Sequence, residues 1–359
     1  MPPLFTTAPQ SLCLLRLSAI GDCTHMLPIV HTLQRHWPQT RLTWIVGRTE
    51  AALVGDLPGV EFITFDKQAG LRAYLDLYHR LAGRRFDALL LMQVALRANL
   101  ASLAIRAPIR LGYDRQRAKD GHSLFINQRI MAAHHPHVVD GFFGFLEALG
   151  LQSRELDWSL PIPTPALHYA ERQLPGNQPT LLISPCASHP ARDWQAERYA
   201  AVADYATRHH GMRVVLTGGD SAREQGMAAA ILRASRAPIP ILNLVGQITL
   251  KELLAVFRRV SVLICPDSGP AHIGTCAGIP VIGLYAASNP ERTGPYLSRR
   301  WCIDKYDIAA QRYLGKSSMQ LPWGTRVRGA GVMDLIEVDE VCTMLDLVMQ
   351  AHTGHTQKG

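Results

Sequence analysis

The 359-residue sequence has few of the features that mark a zinc-binding, secreted or membrane-spanning protein. Its seven cysteines lie far apart with no CxxC pair, which indicates reduced, buried thiols and no structural zinc site. No apolar run approaches the roughly 18 residues that a membrane-spanning helix needs. The first ten residues lack the basic start of a signal peptide. We therefore expect a cytoplasmic protein that meets a membrane only at its surface.

The composition favours a packed protein with anionic partners. Charged residues make up 18% and hydrophobic residues 47%, which is typical of a globular fold. The formal net charge of +8 favours nucleotide phosphates, nucleic acid or an acidic membrane surface, although a basic soluble enzyme explains it as well. No nucleic-acid-binding motif is present, so we expect no nucleic-acid partner. No GxGxxG fingerprint supports a dinucleotide cofactor.

Strand-like and helix-like segments alternate in both halves of the chain, which predicts parallel sheets covered by helices. Strand-like runs occupy residues 12–17, 42–46, 60–65, 86–92, 109–113, 180–185, 212–219, 241–246, 260–267 and 279–285. The segment 156–167 breaks this rhythm with three prolines and is the best candidate for a linker. We predict an α/β fold of two facing Rossmann-like domains with a central cleft, at residues 1–165 and 166–336. A helical segment at 337–359 could pack back across the linker.

The first strand-to-helix turn carries a carboxylate. Residues 16–22 read RLSAIGD, in which Gly21 allows close backbone approach and Asp22 stands near the start of a helix. Asp22 could be an ordinary N-cap. It could instead lie at the rim of the cleft and take a proton from an attacking hydroxyl.

Two turns in the second half offer groups for a phosphate or a ribose. Ser188 and Arg192 lie between a strand and a helix, where a hydroxyl and a guanidinium suit a phosphate. Ser188 could equally shape the loop, and Arg192 could be solvated. The LTGG turn at 216–219 is less specific, although Glu224 on the next helix could accept hydrogen bonds from a ribose.

The strongest motif follows the apolar strand at 260–265. It reads Asp267-Ser268-Gly269-Pro270-Ala271-His272. Capping by Asp267 or Ser268 and the presence of Pro270 in the first helical turn explain much of it. His272 could be buried in helix packing, or it could join the helix amides in binding a diphosphate.

The region 97–129 is strongly basic, with seven Arg or Lys residues against two carboxylates. Its loop-like part at 112–122 contains Arg115, Arg117 and Lys119. These side chains could form a solvated face, or they could present positive charge to an anionic acceptor.

Taken in order, RLSAIGD, the S-x-x-x-R-D-W run, LTGG and PDSGPAHIG resemble the motifs of glycosyltransferase family 9, the ADP-heptose:lipopolysaccharide heptosyltransferases, over nearly the whole chain. The resemblance implies the GT-B architecture, with an N-terminal acceptor domain and a C-terminal donor domain. It implies inverting transfer of heptose from ADP-L-glycero-D-manno-heptose to the Kdo or inner-core region of lipopolysaccharide, with no metal or other cofactor.

The resemblance also implies partners and residue roles. The acceptor would be Kdo-lipid A or a core oligosaccharide at the inner leaflet, which places a peripheral enzyme on the cytoplasmic face of the inner membrane. Asp22 would be the general base. Residues that would bind the acceptor are Ser18, Gly21, Arg115, Arg117 and Lys119. Residues that would bind the donor are Ser188, Arg192, Glu224, Ile248, Asp267, Ser268, Gly269, Pro270 and His272. The family often has Lys at the position of Arg192, and Arg can still neutralise a phosphate.

Two other functions suit the same architecture. A nucleotide-sugar epimerase would convert a UDP-sugar without any acceptor, because a fold alone does not fix a reaction. A catalytically silent nucleotide- or lipid-binding homologue is the second alternative, and the intact Asp22 and Asp267-to-His272 motifs argue against it.

Overall fold

The structure is a computed structural model that describes residues 2–356, with side chains described as far as residue 351. The chain divides into two compact units, one ending at Pro161 and the next beginning at Ile162. Each unit contains a six-stranded sheet in which all neighbouring strands run parallel. The predicted α/β class with two parallel-sheet domains is therefore confirmed.

The first unit has the strand order β3-β2-β1-β4-β5-β6. Its strands are β1 (Ser11–Leu15), β2 (Arg41–Gly47), β3 (Val60–Phe65), β4 (Ala88–Leu91), β5 (Ile109–Gly112) and β6 (Gln128–Arg129). Its helices are α1 (Ile20–His25), α2 (Leu27–His36), α3 (Arg48–Val54), α4 (Leu71–Leu81), α5 (Leu96–Ala101) and α6 (Val138–Leu149). Every residue of β1 is buried, because helices cover both faces of a parallel sheet.

The second unit has the strand order β12-β11-β10-β7-β8-β9. Its strands are β7 (Thr180–Ile183), β8 (Arg213–Leu216), β9 (Leu242–Asn243), β10 (Val262–Pro266), β11 (Val281–Tyr285) and β12 (Ile303–Asp304). Its helices are α7 (Thr164–Gln173), α8 (Ala196–His210), α9 (Ala222–Ala234), α10 (Leu250–Phe257), α11 (Gly269–Ala277), α12 (Pro290–Thr293), α13 (Tyr306–Leu314) and α14 (Val338–Thr356).

The C-terminal helix α14 belongs to the second unit's core. Its residues Val341, Leu345 and Val348 are buried in the same cluster as Trp194 and Tyr199. Residues 357–359 of the predicted C-terminal segment lie outside the described residues. None of the described helices is long and apolar enough to cross a membrane.

Each strand order reverses direction at one point, and this is where open α/β sheets bind ligands. In the first unit the reversal lies between β1 and β4, so the loop after β1 borders it. In the second unit it lies between β7 and β10, so the loops that follow these two strands flank it. The topology therefore predicts ligand-binding sites at the loops that begin at Arg16, Ser184 and Asp267.

Candidate functional site

The loop after β1 holds Asp22 against a buried arginine. Helix α1 begins at Ile20 with Ala19 as its N-cap, so Asp22 is not the N-cap but the third helical residue. Its Oδ2 accepts a hydrogen bond from Nη2 of Arg16 and a weaker one, at 3.4 Å, from the amide of Ala19. In the described part of the chain, no donor reaches the other carboxylate oxygen, Oδ1.

Arg16 is itself fixed on several sides. Its side chain is 12% exposed, its Nη1 donates to the carbonyl of Met92 at 2.5 Å, and its guanidinium lies over the ring of Phe142 at 5.3 Å. Burial is the largest single effect and lowers the pKa of Arg16, but the charges of Asp22, Tyr113 and Cys23, together with the hydrogen bond to Asp22, raise that pKa above its usual value. The cation beside Asp22 is therefore permanent.

The rest of this turn is positioned by Gln93, which follows β4. Its Oε1 accepts from the amide of Leu17 at 2.8 Å, and its Nε2 donates to Oγ of Ser18 at 3.2 Å. Gly21 is buried, and its carbonyl accepts from Oγ1 of Thr24 at 2.7 Å. Ser18 thus lies in the turn between β1 and α1, and Gly21 and Asp22 lie in the first turn of α1.

A cavity of about 470 Å³ opens beside this loop, at the carboxyl ends of β1, β2 and β3. Its charged lining residues are Arg48, Glu50, Asp66, Lys67 and Arg97, and Ser18, Thr49 and Gln68 add polar groups. Arg48 pairs with Asp66 at 3.1 Å. Sequence reasoning missed this cavity, because its residues come from four separate segments and only Leu17 and Ser18 belong to a recognised motif.

Glu50 is the unusual member of this lining. It is 6% exposed, and in the described part of the chain no other residue donates a hydrogen bond to its carboxylate. Burial raises the pKa of Glu50, and the opposing effects of its own amide, Lys67 and Arg16 are smaller. A Cβ at Gly47 would collide with Oε2 of Glu50 and the carbonyl of Leu17, so Gly47 is what allows this close packing. A buried carboxylate that faces a cavity is suited to accept hydrogen bonds from hydroxyl groups.

The basic loop divides into structural and exposed cations. Arg117 donates through Nε to the buried carboxylate of Asp114 and through Nη2 to the carbonyl of Met131 at 3.0 Å. Its guanidinium also lies over the ring of Tyr113 at 5.3 Å. Arg115 and Lys119 are exposed. The predicted acceptor-binding role is therefore easier for Arg115 and Lys119 than for Arg117, which already holds the loop.

The same loop is anchored by a neutral histidine. His122 is buried, its Nδ1 lies 2.9 Å from Oδ1 of Asn99, and its Nε2 accepts from the amide of Tyr113 at 3.1 Å. These partners fix the tautomer with the proton on Nδ1. Burial, with a smaller effect of Arg129, lowers the pKa of His122 to about 4.

In the second unit, three of the predicted donor-binding residues form one network. Arg192 is buried, and its Nη1 donates to the carbonyl of Asp267 at 2.6 Å and to its carboxylate at 2.9 Å. Its Nη2 donates to Oγ of Ser188 at 2.6 Å. The Nε of Arg192 is buried, and no hydrogen-bond partner for it lies within the described residues. The loops after β7 and β10 are joined by these contacts.

Helix α11 presents its N-terminus at the same place. Its N-cap is Ser268, whose Oγ donates to the carbonyl of Pro266 at 3.0 Å and does not cap the helix amides. Gly269 and Pro270 form the first turn, and Pro270 has no amide to satisfy. His272 is buried. The start of α11 is therefore suited to an anion, since its amides point outward with the positive end of the helix dipole.

Two further arginines, Arg326 and Arg328, line a small cavity together with Arg192. Burial and the nearby charge of Arg192 lower the pKa of Arg326, which shows that cations are concentrated at this point. The amide of Val327 donates to the carbonyl of Ala287 at 2.9 Å, and this bond places the segment at the end of β11. Sequence reasoning missed both arginines, because their segment has no strand-to-helix pattern.

Glu224 and Ile248 lie in the neighbouring loops. Glu224 accepts from the amide of Gly219 at 2.8 Å and from Oγ of Ser221 at 2.6 Å, so it braces the LTGG turn and the start of α9. Ile248 is half-buried just before α10. Arg223 pairs with Asp193, which ties this turn to the loop of Arg192. A carboxylate retains further lone pairs, and the ribose contact of Glu224 stays a prediction.

Among the described residues, no three His, Cys, Asp or Glu side chains are grouped in a way that could hold a metal ion.

Comparison with known proteins agrees with these observations. The sequence profile described as glycosyltransferase family 9 (heptosyltransferase) matches residues 74–323. A relative from Haemophilus influenzae named lipopolysaccharide core heptosyltransferase OpsX is 41% identical over 339 residues, which cover 94% of this chain and 97% of the relative.

Solved structures share the fold over nearly the whole chain. A glycosyl transferase family 9 protein from Veillonella parvula has a TM-score of 0.78 at 21% identity and covers 95% of this chain and 97% of its own. Escherichia coli heptosyltransferase WaaC with ADP has a TM-score of 0.71 at 16% identity, with coverage of 94% and 99%. These similarities confirm the predicted GT-B fold class and the resemblance to family 9. The chain is a glycosyltransferase and belongs to family 9, the heptosyltransferases.

Proposed function

We propose that this enzyme transfers heptose from ADP-L-glycero-D-manno-heptose to the Kdo or inner-core region of lipopolysaccharide, with inversion at the anomeric carbon and without a metal ion. The name of the 41% identical relative supports the lipopolysaccharide core as the acceptor class. The structural observation that carries the catalytic part is the pairing of Arg16 with one oxygen of Asp22.

Asp22 acts as the general base. Arg16 and the amide of Ala19 hold Oδ2 in place, and Oδ1 is left to accept the proton of the acceptor hydroxyl. As that proton leaves, the hydroxyl oxygen attacks the anomeric carbon of the heptose and the bond to the diphosphate breaks. A single displacement of this kind inverts the configuration at the anomeric carbon. A positioned general base typically accelerates such a reaction by roughly 10²–10⁴-fold.

The leaving ADP gains negative charge, which the second unit is built to stabilise. Arg192, Arg326 and Arg328 supply cations beside the N-terminus of α11. Fixed cations and amides aimed at developing charge lower the barrier, because they need no reorganisation during the reaction. This arrangement supports a metal-independent mechanism, in which guanidinium groups do the work of a divalent ion. Gly269, Pro270 and His272 would line the same anion site.

The cavity lined by Ser18 and Glu50 suits an acidic sugar. Arg48, Lys67 and Arg97 offer charge to a carboxylate or phosphate, and Glu50 offers acceptors to hydroxyl groups. The exposed Arg115 and Lys119 add positive charge in the same unit. We assign the acceptor to this side, as Kdo-lipid A or a core oligosaccharide. Such an acceptor would locate the enzyme peripherally on the cytoplasmic face of the inner membrane.

The direct test is transfer with purified ADP-heptose across a series of truncated core acceptors, followed by mass spectrometry. We expect one heptose to be added to an inner-core acceptor, at the same rate with or without EDTA, and the anomeric configuration of the product to be opposite to that of the donor. Loss of activity in EDTA with recovery on adding a divalent ion would overturn the metal-independent mechanism. Conversion of a UDP-sugar without any acceptor would overturn the proposal as a whole.

A further inference from the structure

Helix α4 carries an exposed apolar stripe. Leu71, Leu75 and Tyr78 follow the spacing i, i+4, i+7 and lie on one side of the helix. Leu71 is 83% exposed and Leu75 is 59% exposed. The opposite side of α4 is buried through Ala73 and Leu77. A helix that already buries one apolar side has no structural need for leucines on the other.

A second stripe of the same spacing lies on the neighbouring segment. Leu96 and Leu100 of α5 and Leu103 of the turn Ser102–Ala104 are exposed, and Leu103 is 66% exposed. Helix α4 packs beside α5 and this turn. Ala73 and Leu77 of α4 lie in one buried cluster with the inner residues of the second segment, Ala98, Ala101 and Ile105. Because both segments bury their inner sides in one cluster, their outer stripes share one surface. We call this surface the leucine face; it consists of Leu71, Leu75, Tyr78, Leu96, Leu100 and Leu103.

The leucine face is bordered by positive charge. Arg72, Arg97 and Arg106 are exposed beside the leucines. Asp76 is the one carboxylate in the sequences of α4 and α5. The face also adjoins the proposed acceptor cavity, because Arg97 at its border lines that cavity and α4 begins three residues after Gln68 of the cavity lining.

We propose that the leucine face docks the enzyme on an anionic lipid bilayer. The leucines enter the boundary between headgroups and acyl chains, and the arginines bind lipid phosphates, as in interfacial amphipathic helices. A second copy of the chain fits less well, since a two-fold contact through this face would bring the arginines of both copies together. The inference rests on the proposed lipid-anchored acceptor: docking here would hold the cavity near the headgroup of such an acceptor.

Flotation with vesicles tests this docking. The full-length enzyme is mixed with phosphatidylethanolamine vesicles that contain phosphatidylglycerol and, separately, with neutral phosphatidylcholine vesicles. The test variant is Leu71→Glu/Leu75→Glu/Leu103→Glu. The matched control, Leu167→Glu/Leu232→Glu/Leu347→Glu, changes three exposed leucines of the second unit. All changed side chains are exposed, so the variants should fold, and thermal unfolding checks that they do.

We expect the wild type and the control to bind anionic vesicles, more weakly at high salt, and the test variant to bind at least about tenfold more weakly. Equal binding of test variant and wild type, or no binding by the wild type, would overturn the proposal. A third outcome would also overturn the proposal: the wild type self-associates independently of salt and does not bind vesicles, and only the test variant loses this self-association. That result would assign the face to a second copy of the chain. Transfer to a deacylated, soluble acceptor should be unchanged in the test variant. Failure of the wild type to transfer heptose to any acceptor would count against the proposed function, whereas the vesicle result would stand on its own.

Discussion

The buried guanidinium of Arg192 holds Asp267 from a single nitrogen, since Nη1 donates to both the main-chain carbonyl and the carboxylate of that residue. The other terminal nitrogen holds Ser188. Arg192 therefore fixes the start of α11, and in the proposed donor site it would also contribute charge for the diphosphate. A substitution here should change both stability and nucleotide binding.

Arg192→Met should destabilise the fold by about 3 kcal/mol, because it leaves the buried Asp267 carboxylate without its partner. It should also weaken ADP binding about 100-fold, the effect of losing a charge-assisted contact and the geometry around it. Arg192→Lys keeps the charge but cannot reach both Asp267 and Ser188, so its losses should be smaller on both counts. Urea unfolding and calorimetric titration with ADP measure the two effects. Unchanged ADP affinity in a folded Arg192→Met protein would contradict the assignment.

A substitution at Arg326 should weaken ADP binding without destabilising the fold. Its side chain makes no hydrogen bond or ion pair with the described residues, and burial and neighbouring arginines disfavour its charge, so Arg326→Gln should not lower the unfolding midpoint. ADP affinity should fall about tenfold and adenosine affinity should not change, because only the phosphates meet the cation cluster. Arg233→Gln, which changes an arginine in the last turn of α9, is the matched control. A similar loss for ADP and adenosine would show that Arg326 acts on the nucleoside instead.

Glu50 should make the enzyme less stable at alkaline than at acidic pH. Because burial raises the pKa of this carboxyl in the folded protein, the folded state holds the proton more tightly than the unfolded state. That contribution to stability is complete below the unfolded pKa and is lost as the pH rises through the folded pKa. Glu50→Gln should therefore be more stable than the wild type at pH 8 and no more stable at pH 4, as measured by urea unfolding.

For Glu61 we expect the contribution to stability to change with pH in the opposite direction. The hydrogen bond from Arg84 lowers the pKa of Glu61, so its contribution is present above the unfolded pKa and is lost as the pH falls. Glu61→Gln should lower stability at pH 8, where Glu50→Gln raises it. If both variants shift stability in the same direction at pH 8, the buried state of Glu50 is not as described.

In transfer assays, Glu50→Gln should also raise KM for the acceptor about tenfold, as expected for a lost hydrogen bond to charge.

His122 should lower the stability of the folded protein as the pH falls below 7. Its folded pKa of about 4 lies below the usual value of 6.5, so the unfolded state binds the proton more readily between these values. The free energy of unfolding should fall by roughly 3 kcal/mol between pH 7 and pH 4 through this residue alone. His122→Asn should remove that part of the pH dependence, whereas His79→Gln on the exposed side of α4 should not. An unchanged pH dependence in His122→Asn would contradict the neutral, buried imidazole.

The strands were predictable because a doubly covered parallel sheet requires continuous apolar runs, as in β1 and β10. The two-residue edge strands β6 and β12 have no such run and were missed. Helices α7, α12 and α13 were missed as well, and so was the longer helix α6. Seven of its 12 residues are buried, so it lacks the polar face that marks a surface helix.

The candidate site was predictable where its residues are adjacent in sequence. RLSAIGD and PDSGPAHIG keep the loop and the helix start together, and both motifs lie at the strand ends that border the reversal of strand order. Glu50 and Arg326 gave no signal, since a Glu in a first helical turn and an Arg in a loop are commonplace. Only folding brings the first to the cavity wall and the second to Arg192. The sequence did place Glu224 beside the LTGG turn. It did not reveal that the carboxylate accepts a hydrogen bond from the amide of Gly219, because that bond depends on the backbone conformation of the turn.

The most direct test of the account is the transfer rate of Asp22→Asn, measured with ADP-heptose and an inner-core acceptor. Asn keeps the size of the side chain and removes the base, and Asp339→Asn on α14 serves as a control for loss of one carboxylate. We predict that kcat falls by about 1,000-fold while the Kd for ADP stays within about twofold, because the base acts only on the acceptor. Transfer at a rate close to wild type, or a loss of ADP binding in the folded variant, would contradict the role of Asp22.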